Sequence, residues 1–235
     1  MISFFLPIKK NSKRVKNKNT RKINNFQFGL TEIKISQLKK FRNFAKKDSI
    51  LKKEKFEYII SSDNKQIAKY LKKFPWIKFY SRPKKLAQDD CLEDLIKYVP
   101  KVCAGDLILW THTTSPLFNH LCYLRFVKNF LKNIKKYDSS FTASKIQSFI
   151  FNATKKKWLS HNRKINKWPR TQDLDKIYSI NNAAFISKRN VYLNQKDRIG
   201  NNPLPFSEVV EENEIFDIDN KADFNYFKKN LLIKV

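Results

Sequence analysis

Short apolar segments alternate with helical patterns through the first half of the chain, and this alternation limits the possible folds more than any other feature. Apolar runs with the length of buried strands occur at 2–8, 58–60, 76–80 and 106–110. Segments with apolar residues at helical spacing follow them, at 31–44, 64–71, 92–99 and 121–134. Strands that each lead into a helix predict an α/β fold, in which helices cover both faces of a mostly parallel sheet.

Individual residues predict where these elements begin and end. Thr31 is the expected N-cap of the first helix, and Pro100 is expected to stop the third. Asn64 or Asp63 is expected to cap the second helix. Later in the chain, extended segments are predicted at 140–150, 177–186, 206–210 and 215–219, and a helix at 220–231. The length of 235 residues suits a single domain over 1–235.

Composition excludes several classes of protein. With 41% hydrophobic and 14% aromatic residues, the chain is too apolar to be disordered. It contains no apolar run of 18 residues, so no membrane span is expected, and its first residues lack the features of a signal peptide. Cys91, Cys103 and Cys122 show neither paired metal spacing nor a disulfide framework, so we expect packing thiols and a cytoplasmic location. His120 and His161 are interpreted as ordinary surface or helix residues.

The net charge of +28 is large and unevenly distributed. Of the 49 basic residues 40 are Lys, a bias that an AT-rich genome also produces, so the charge favours loose binding of polyanions over specific nucleic-acid recognition. Residues 1–55 hold 17 basic and 3 acidic residues, whereas 206–225 hold seven acidic residues and one basic residue. A basic beginning and an acidic end direct attention to a phosphate site and a metal site.

Loops that follow the carboxyl ends of parallel strands form the binding site of such sheets, so 9–19, 61–64, 82–89 and 112–116 are expected to converge on one crevice. The first of these loops carries lysines and Ser12, which suit a polyphosphate, although it contains no glycine and is not a Walker loop. Asp217 and Asp219 alternate in a segment expected to be extended, so both carboxylates can face one Mg²⁺. Taken alone, each feature is also compatible with a solvated loop or with surface charge. Together they indicate a nucleotidyl-transfer centre.

A polar, basic stretch at about 145–175 separates two of the predicted strands. It contains Trp158 and Trp168, which are expected to be buried against either a second subunit or the parent domain. The residues alone leave both alternatives open.

Seven segments carry motif-like residues in a fixed order over nearly the whole chain. They read LPIKKNSKRVKNKN (6–19), ISSD (60–63), RPKKLAQD (82–89), HTTSPL (112–117), PRTQ (169–172), NNAAF (181–185) and DIDN (217–220). In this order they resemble the acylneuraminate cytidylyltransferase (CMP-N-acetylneuraminic acid synthetase) family. The first loop of that family typically reads I/L-P/L-A-R-x-x-S-K-x-I/L-P-x-K-N.

The resemblance implies a Rossmann-like nucleotide-diphospho-sugar transferase fold with a small dimerisation insertion at about 145–175. It implies an Mg²⁺-dependent enzyme that transfers CMP from CTP to a sialic-acid-like nonulosonic acid and releases pyrophosphate, in CMP-sugar synthesis for surface glycans. A homodimer is expected, without a specific nucleic-acid partner. The alternatives are a 3-deoxy-manno-octulosonate-type cytidylyltransferase, or a catalytically inactive homologue or basic nucleic-acid-binding protein.

The resemblance also assigns roles to residues by their positions in the motifs. The implied nucleotide-binding residues are Lys9, Asn11, Ser12, Lys18, Asn19, Arg82 and His112. The implied sugar-binding residues are Arg170, Gln172, Asn181 and Phe185, of which Arg170 would pair with the sugar carboxylate. Asp217 and Asp219 would bind the Mg²⁺, and with Lys9 and Lys18 they are the implied catalytic residues, acting through positioning and electrostatics.

The chain departs from the family pattern at several of these positions. Lys9 stands where the family usually has Arg, which keeps the charge but loses the planar fork. Lys16 replaces a Pro, His112 replaces a Gln, and Asn182 stands where Gly is usual. Residues 90–93 replace a stretch rich in Thr and Ser. These departures bear on the fine contacts to the nucleotide.

Overall fold

The computed structural model describes residues 1–88, 90–208 and 212–230, which are organised around one seven-stranded sheet. The strands are β1 (Ile2–Ile8), β2 (Phe56–Ser62), β3 (Ile77–Ser81), β4 (Leu107–Thr111), β5 (Ser139–Ile146), β6 (Phe151–Asn152), β7 (Lys157–Trp158), β8 (Ile177–Lys188) and β9 (Pro203–Phe206). The helices are α1 (Gly29–Ala45), α2 (Lys65–Leu71), α3 (Leu92–Val102), α4 (His120–Asn133) and α5 (Lys221–Asn230).

The sheet has the strand order β3-β2-β1-β4-β8-β5-β9, while β6 and β7 pair with each other outside it. The four strands from the first half of the chain are parallel, with β1 between β2 and β4. Strand β8 is antiparallel to both neighbours, β4 and β5, and β9 is parallel to β5 at the edge. The structure therefore confirms the predicted α/β class and its mostly parallel sheet.

Helices cover both faces, as the alternating pattern predicts. On one face, Phe4 of β1 packs with Phe41 of α1 and Tyr123 of α4, and α2 belongs to the same apolar cluster. On the other face, Trp110 of β4 and Phe5 of β1 belong to the cluster that α3 covers. None of the described helices is long and apolar enough to cross a membrane.

Two helix boundaries differ from those predicted. Helix α1 begins at Gly29, and Thr31 lies inside it as a buried residue, so the prediction of Thr31 as the N-cap is wrong. Gly29 has a φ of +50°, and a Cβ there would lie 2.0 Å from the backbone oxygen of Arg21, so glycine is needed where the chain turns into the helix. Pro100 does not stop α3, which runs on to Val102. Asn64 caps α2, as predicted, by accepting from the backbone N–H of Gln66.

Several predictions for the second half of the chain also need correction. Strand β9 lies at 203–206, earlier than the predicted 206–210, of which Val209 and Val210 lie outside the described residues. Residues 212–215 form a 3₁₀ turn and 216–219 are irregular, so the predicted extended segment at 215–219 is not a strand.

Asn182, which stands where the family usually has Gly, has a φ of 58°. This left-handed conformation favours Gly, and Asn is among the few other residues that adopt it readily.

Residues between β5 and β8 form a separate aromatic cluster. Its rings belong to Phe149, Phe151, Trp158, His161 and Trp168, whose neighbouring centroids lie 5.3–6.3 Å apart. His161 is only 9% exposed, so its interpretation as an ordinary surface residue is wrong. The two tryptophans therefore pack mainly within this stretch, yet Trp168 stays 63% exposed.

Candidate active site

A cleft of about 540 Å³ lies at the carboxyl ends of β1, β3 and β4. Its walls are the loop after β1, the segment between β3 and α3, and the residues after β4. The predicted nucleotide and metal residues that line it are Lys9, Ser12, Lys18, Asn19, Arg82, His112 and Asp219. Three of the four predicted loops thus meet at one crevice, as expected for the carboxyl edge of a parallel sheet.

The fourth loop, after β2, lies beside the cleft. Asp63 and Asn64 line a neighbouring hollow of about 870 Å³, and Asn11 lines this hollow and not the cleft. The Asp63 carboxylate accepts a 2.8 Å hydrogen bond from the backbone N–H of Lys10. The loop after β2 therefore supports the first loop from the side.

Asn19 pins the first loop in place. It is only 7% exposed, and its Nδ2 donates to the Lys9 oxygen at 3.0 Å while its Oδ1 accepts from the Thr113 hydroxyl at 2.8 Å. Its backbone oxygen accepts a 2.7 Å hydrogen bond from the hydroxyl of Thr31, the residue predicted as the N-cap of the first helix. Asn17 takes the left-handed conformation at φ 55°, so this loop turns without glycine.

The loop meets the acidic segment through Lys18. The Lys18 ammonium donates to the backbone oxygen of Ile218 at 2.5 Å, between the two predicted metal ligands. Burial lowers the pKa of Lys18, and the carboxylates of Asp217 and Asp219 oppose that shift. Arg14 adds an exposed ion pair to Asp219 at 2.9 Å. The site therefore brings basic and acidic groups together from chain positions about 200 residues apart.

Ile218 fixes the positions of the two carboxylates. Its side chain is fully buried with Val15 and Phe224, and its backbone N–H donates to the Thr114 oxygen at 2.8 Å. Asp217 is half-buried, and burial raises its pKa, with the Asp219 carboxylate adding to the effect. Arg14 already pairs with Asp219, and the partly buried carboxylate of Asp217 beside it leaves negative charge that a further cation would neutralise.

The donor set at these carboxylates fits Mg²⁺ better than a metal held by protein alone. Among residues 1–88, 90–208 and 212–230, no group of three or more His, Cys, Asp or Glu side chains is placed to hold a metal ion. An ion at Asp217 and Asp219 would complete its shell with water and phosphate oxygens, which is how Mg²⁺ is usually bound.

Arg82 and His112 present unpartnered polar atoms at the cleft. Arg82 is 5% exposed, and its Nε and Nη2 have no hydrogen-bond partner among the described residues, although Nη2 lies 3.9 Å from the Asp63 carboxylate in an ion pair. The Nε2 of His112 is likewise buried without a partner there. Burial, followed by the charge of Arg198, lowers the pKa of His112 to about 3, so the imidazole is neutral. Unpartnered buried groups of this kind each cost about 1–3 kcal/mol, which a bound ligand can recover.

The predicted sugar-binding residues do not line the cleft of the described chain. Arg170 and Gln172 are exposed in the insertion, where Arg170 pairs with Asp173 at 2.9 Å. Asn181 accepts from the backbone N–H of Ala183. Phe185 is fully buried in β8.

Other residues of the site have weaker signals in the sequence or none. Thr113 lies in the 112–117 motif, but its hydrogen bond to Asn19 is visible only in the structure. Arg198 lies outside every motif, yet its guanidinium stacks 3.9 Å from the centre of the Phe185 ring and acts on His112. Cys91 lines the cleft as a half-buried residue, so its interpretation as a packing thiol is wrong, whereas Cys103 and Cys122 are buried as predicted.

Comparison with known proteins gives one family match. A family model described as Cytidylyltransferase matches residues 5–226. One relative, the Post-translational flagellin modification protein B of Campylobacter coli, is 26% identical over 224 residues, which are 91% of this chain and 87% of the relative.

Solved structures share the fold at low sequence identity. CMP:2-keto-3-deoxy-manno-octonic acid synthetase complexed with CTP is 10% identical, with a TM-score of 0.61 over 97% of this chain and 96% of that one. The 4-diphosphocytidyl-2C-methyl-D-erythritol synthase of Anaerococcus prevotii DSM 20548 is 11% identical, with a TM-score of 0.60 over 96% and 95% of the two chains. These neighbours show a Rossmann-like nucleotidyltransferase fold.

Proposed function

Since the chain belongs to the cytidylyltransferase family, we propose that it transfers CMP from CTP to a sialic-acid-like nonulosonic acid, as acylneuraminate cytidylyltransferases do. The observation that carries this proposal is the contact between the basic loop and the acidic segment, where Lys18 donates to the Ile218 oxygen between Asp217 and Asp219. A triphosphate and its counter-ion need both kinds of charge at one place.

The triphosphate would bind along the first loop. Lys9, Ser12 and Lys18 line the cleft with donors suited to phosphate oxygens. The anomeric hydroxyl oxygen of the sugar forms a bond to the α-phosphorus as the bond from that phosphorus to the β-phosphate oxygen breaks. Pyrophosphate leaves with the electron pair, and the hydroxyl proton passes to an aspartate carboxylate of the pair. The lysines stabilise the charge on the phosphoryl oxygens, so catalysis depends on positioning and electrostatics.

The cytosine end of the nucleotide would lie against Arg82 and His112. Cytosine presents two acceptors, O2 and N3, beside an amino donor. The Nε and Nη2 of Arg82 are donors that make no hydrogen bond to the described residues, and a neutral His112 can donate or accept at Nε2. These groups match the edge of a cytosine, and Asn19, at the end of the first loop, lines the same cleft.

Mg²⁺ would be held by Asp217 and Asp219 together with the phosphate oxygens. When bound, it neutralises the charge of the triphosphate and of the leaving pyrophosphate. Lys18, held against Ile218, stays beside the same phosphates.

The acceptor site is proposed to need a second subunit. The predicted sugar residues Arg170 and Gln172 lie in the insertion and outside the cleft, where a neighbouring chain could receive them. The same insertion exposes Ile165 at 84% and Trp168 at 63%. Exposed apolar side chains on a protruding element favour an interface between copies of the chain, so we propose a homodimer built by the 145–175 insertion.

The nature of the acceptor is supported by the comparisons. The Campylobacter coli relative is named for the modification of flagellin, and one structural neighbour is named for a 2-keto-3-deoxy sugar acid. A nonulosonic acid is compatible with the first name and shares the 2-keto acid group of the sugar acid in the second. The name of that structural neighbour also favours an eight-carbon acid of the 3-deoxy-manno-octulosonate type as the alternative acceptor.

Pyrophosphate release from CTP and Mg²⁺, measured with a panel of nine-carbon and eight-carbon 2-keto acids, tests the proposal. We expect release with a nine-carbon acid and a fall of about 100-fold for Lys18→Met and for Asp219→Asn. Lys16→Met, in the same loop but exposed and away from the cleft, is the matched control and should keep full activity.

The other outcomes separate the alternatives. Turnover of eight-carbon acids alone selects the alternative acceptor. A folded protein that is inactive with every acid, and that binds DNA or RNA in a salt-sensitive way without displacement by CTP, contradicts the enzyme and supports the nucleic-acid reading.

A further inference from the structure

A lysine is completely buried behind the cleft. Lys34 of α1 has no exposed surface, and its Nζ is within hydrogen-bond distance of three oxygens. These are the backbone oxygens of Ser115 and Phe118, at 3.0 and 3.1 Å, and the Tyr123 hydroxyl at 3.0 Å. Burying an ammonium group costs free energy unless each of its N–H groups donates a hydrogen bond.

Counting hydrogens shows that all three oxygens act as acceptors. The Thr111 hydroxyl donates its one hydrogen to the Ala183 backbone oxygen at 2.9 Å. In the short contact between the Tyr123 and Thr111 hydroxyls, Tyr123 must therefore be the donor. The Tyr123 oxygen is then left to accept from Lys34. Three acceptors require three N–H donors, which only the charged ammonium provides.

The segment that Lys34 holds connects both halves of the site. Within residues 113–118, the Thr113 hydroxyl donates to Asn19, and the Thr114 oxygen accepts from the Ile218 N–H at 2.8 Å. The Ser115 hydroxyl lies 3.5 Å from the Asp217 carboxylate. A displacement of this segment would therefore move the nucleotide-side residue Asn19 and the carboxylates relative to each other.

We propose that Lys34 is a positioning residue, whose three hydrogen bonds fix residues 113–118 and so set the placement of Asn19 relative to Asp217. Its role in turnover rests on the proposed function, whereas its role in ordering the segment does not. Lys34 lies behind the backbone of the segment and does not line the cleft, so it acts through its neighbours.

The groups facing Lys34 make its charge sensitive to pH. Burial lowers the pKa of Lys34 to about 7, and Cys122 of α4 and Asp217 oppose the shift. The Tyr123 hydroxyl stays protonated because burial raises its pKa, and His112 is neutral. As pH rises through about 7, the ammonium loses one of its three donors and the hold on the segment weakens.

Lys34→Met, with Lys39→Met as the matched control on the exposed side of α1, tests the proposal. We expect faster amide hydrogen exchange at 113–118 and at Ile218 in Lys34→Met only. We also expect kcat to fall about 100-fold, as for a misplaced site, with little change in KM for the acceptor. The ratio of wild-type to Lys34→Met activity should shrink as pH rises through 7.

Tyr123→Phe keeps the core volume and removes one of the three acceptors, so it tests the same hydrogen bonds even if Lys34→Met does not fold. It should raise exchange at the same segments by a smaller factor. Unchanged exchange in both variants, or equal effects of Lys34→Met and Lys39→Met, overturns the proposal. A wild-type protein without turnover on any acid contradicts the proposed function alone, because the exchange experiment still decides whether Lys34 orders the segment.

Discussion

The Thr113 hydroxyl donates a 2.8 Å hydrogen bond to the Oδ1 of Asn19, across 94 positions of the chain. The same amide donates to the Lys9 oxygen, so one buried side chain ties together both ends of the first loop and the segment after β4. A loop of 9–19 without glycine or regular structure is thereby held in one shape before any ligand binds.

Thr113→Val is expected to loosen this loop. The variant keeps the side-chain shape but leaves the Asn19 oxygen without its donor, which should lower the free energy of unfolding by about 1–3 kcal/mol. Binding of CTP, followed by calorimetry, should weaken about tenfold because Asn19 and Lys9 lose their fixed positions. Thr154→Val, on an exposed residue of the insertion, should change neither quantity. Equal CTP affinity in the two variants would contradict the role given to this hydrogen bond.

Asp217→Asn removes the negative charge of one proposed Mg²⁺ ligand while keeping the size of its side chain. Burial raises the pKa of Asp217, so the charged carboxylate is disfavoured in the metal-free fold, and the neutral amide should raise Tm by about 2–4 °C in a chelator. Mg²⁺ with CTP should raise Tm of the wild type but not of this variant. Asp175→Asn, an exposed carboxylate, is the control. An equal Mg²⁺ effect in both variants would count against Asp217 as a ligand.

The sequence predicts the parallel half of this fold because its signals are local. Each strand of that half carries its own apolar run and leads into a helix with its own period, as at β1 and α1. The insertion of antiparallel β8 between β4 and β5 depends on pairing between distant segments, such as Trp110 with Phe185, for which no local pattern exists. The start of α1 at Gly29 depends on the close approach of the Arg21 backbone, which the spacing of apolar residues does not indicate.

The candidate site is predictable to the extent that its residues sit in motifs at strand ends. Lys18, Arg82 and His112 reach the cleft because parallel strands bring their carboxyl ends to one edge. An irregular loop has no periodicity from which the direction of its side chains could be predicted. Asn11 of the first loop lines the neighbouring hollow and not the cleft. Arg198 follows β8 outside any motif, so only tertiary packing brings it to Phe185.

His112→Gln is expected to leave the pH dependence of turnover unchanged. Burial lowers the pKa of His112 to about 3, so its imidazole is neutral between pH 5 and 9 and cannot contribute a titration step there. A neutral Gln also offers a donor and an acceptor, so kcat/KM with CTP should fall by less than about tenfold. The measurement is kcat/KM for CTP from pH 5 to 9. Loss of an acidic limb near pH 6 in the variant would show that His112 titrates after all.

The unfolding free energy should reveal the buried charge of Lys34 through its pH dependence. Because its pKa in the fold is about 7, below the ordinary 10.5, the unfolded chain binds the extra proton between those values. Stability of the wild type relative to Lys34→Met should therefore rise with pH above 7, by at most about 1.4 kcal/mol per pH unit. Urea unfolding of both proteins at pH 6, 7, 8 and 9 measures the difference. A difference that stays constant would mean that Lys34 keeps its proton throughout.

Trp168→Ser is expected to weaken the association of two chains without unfolding either. Trp168 is 63% exposed although its ring contacts Phe149 and Trp158, so its removal takes apolar area from the proposed interface and costs the fold only these two ring contacts. Sedimentation velocity over a range of concentrations should show dimer for the wild type and a shift to monomer for the variant. Activity at dilute enzyme should fall with the loss of dimer, because Arg170 would no longer reach a neighbour's cleft. Leu193→Ser, 53% exposed and outside the insertion, is the matched control and should leave the dimer intact. A wild type that sediments as a monomer at every concentration while fully active would contradict both the dimer and the role given to the neighbour's Arg170.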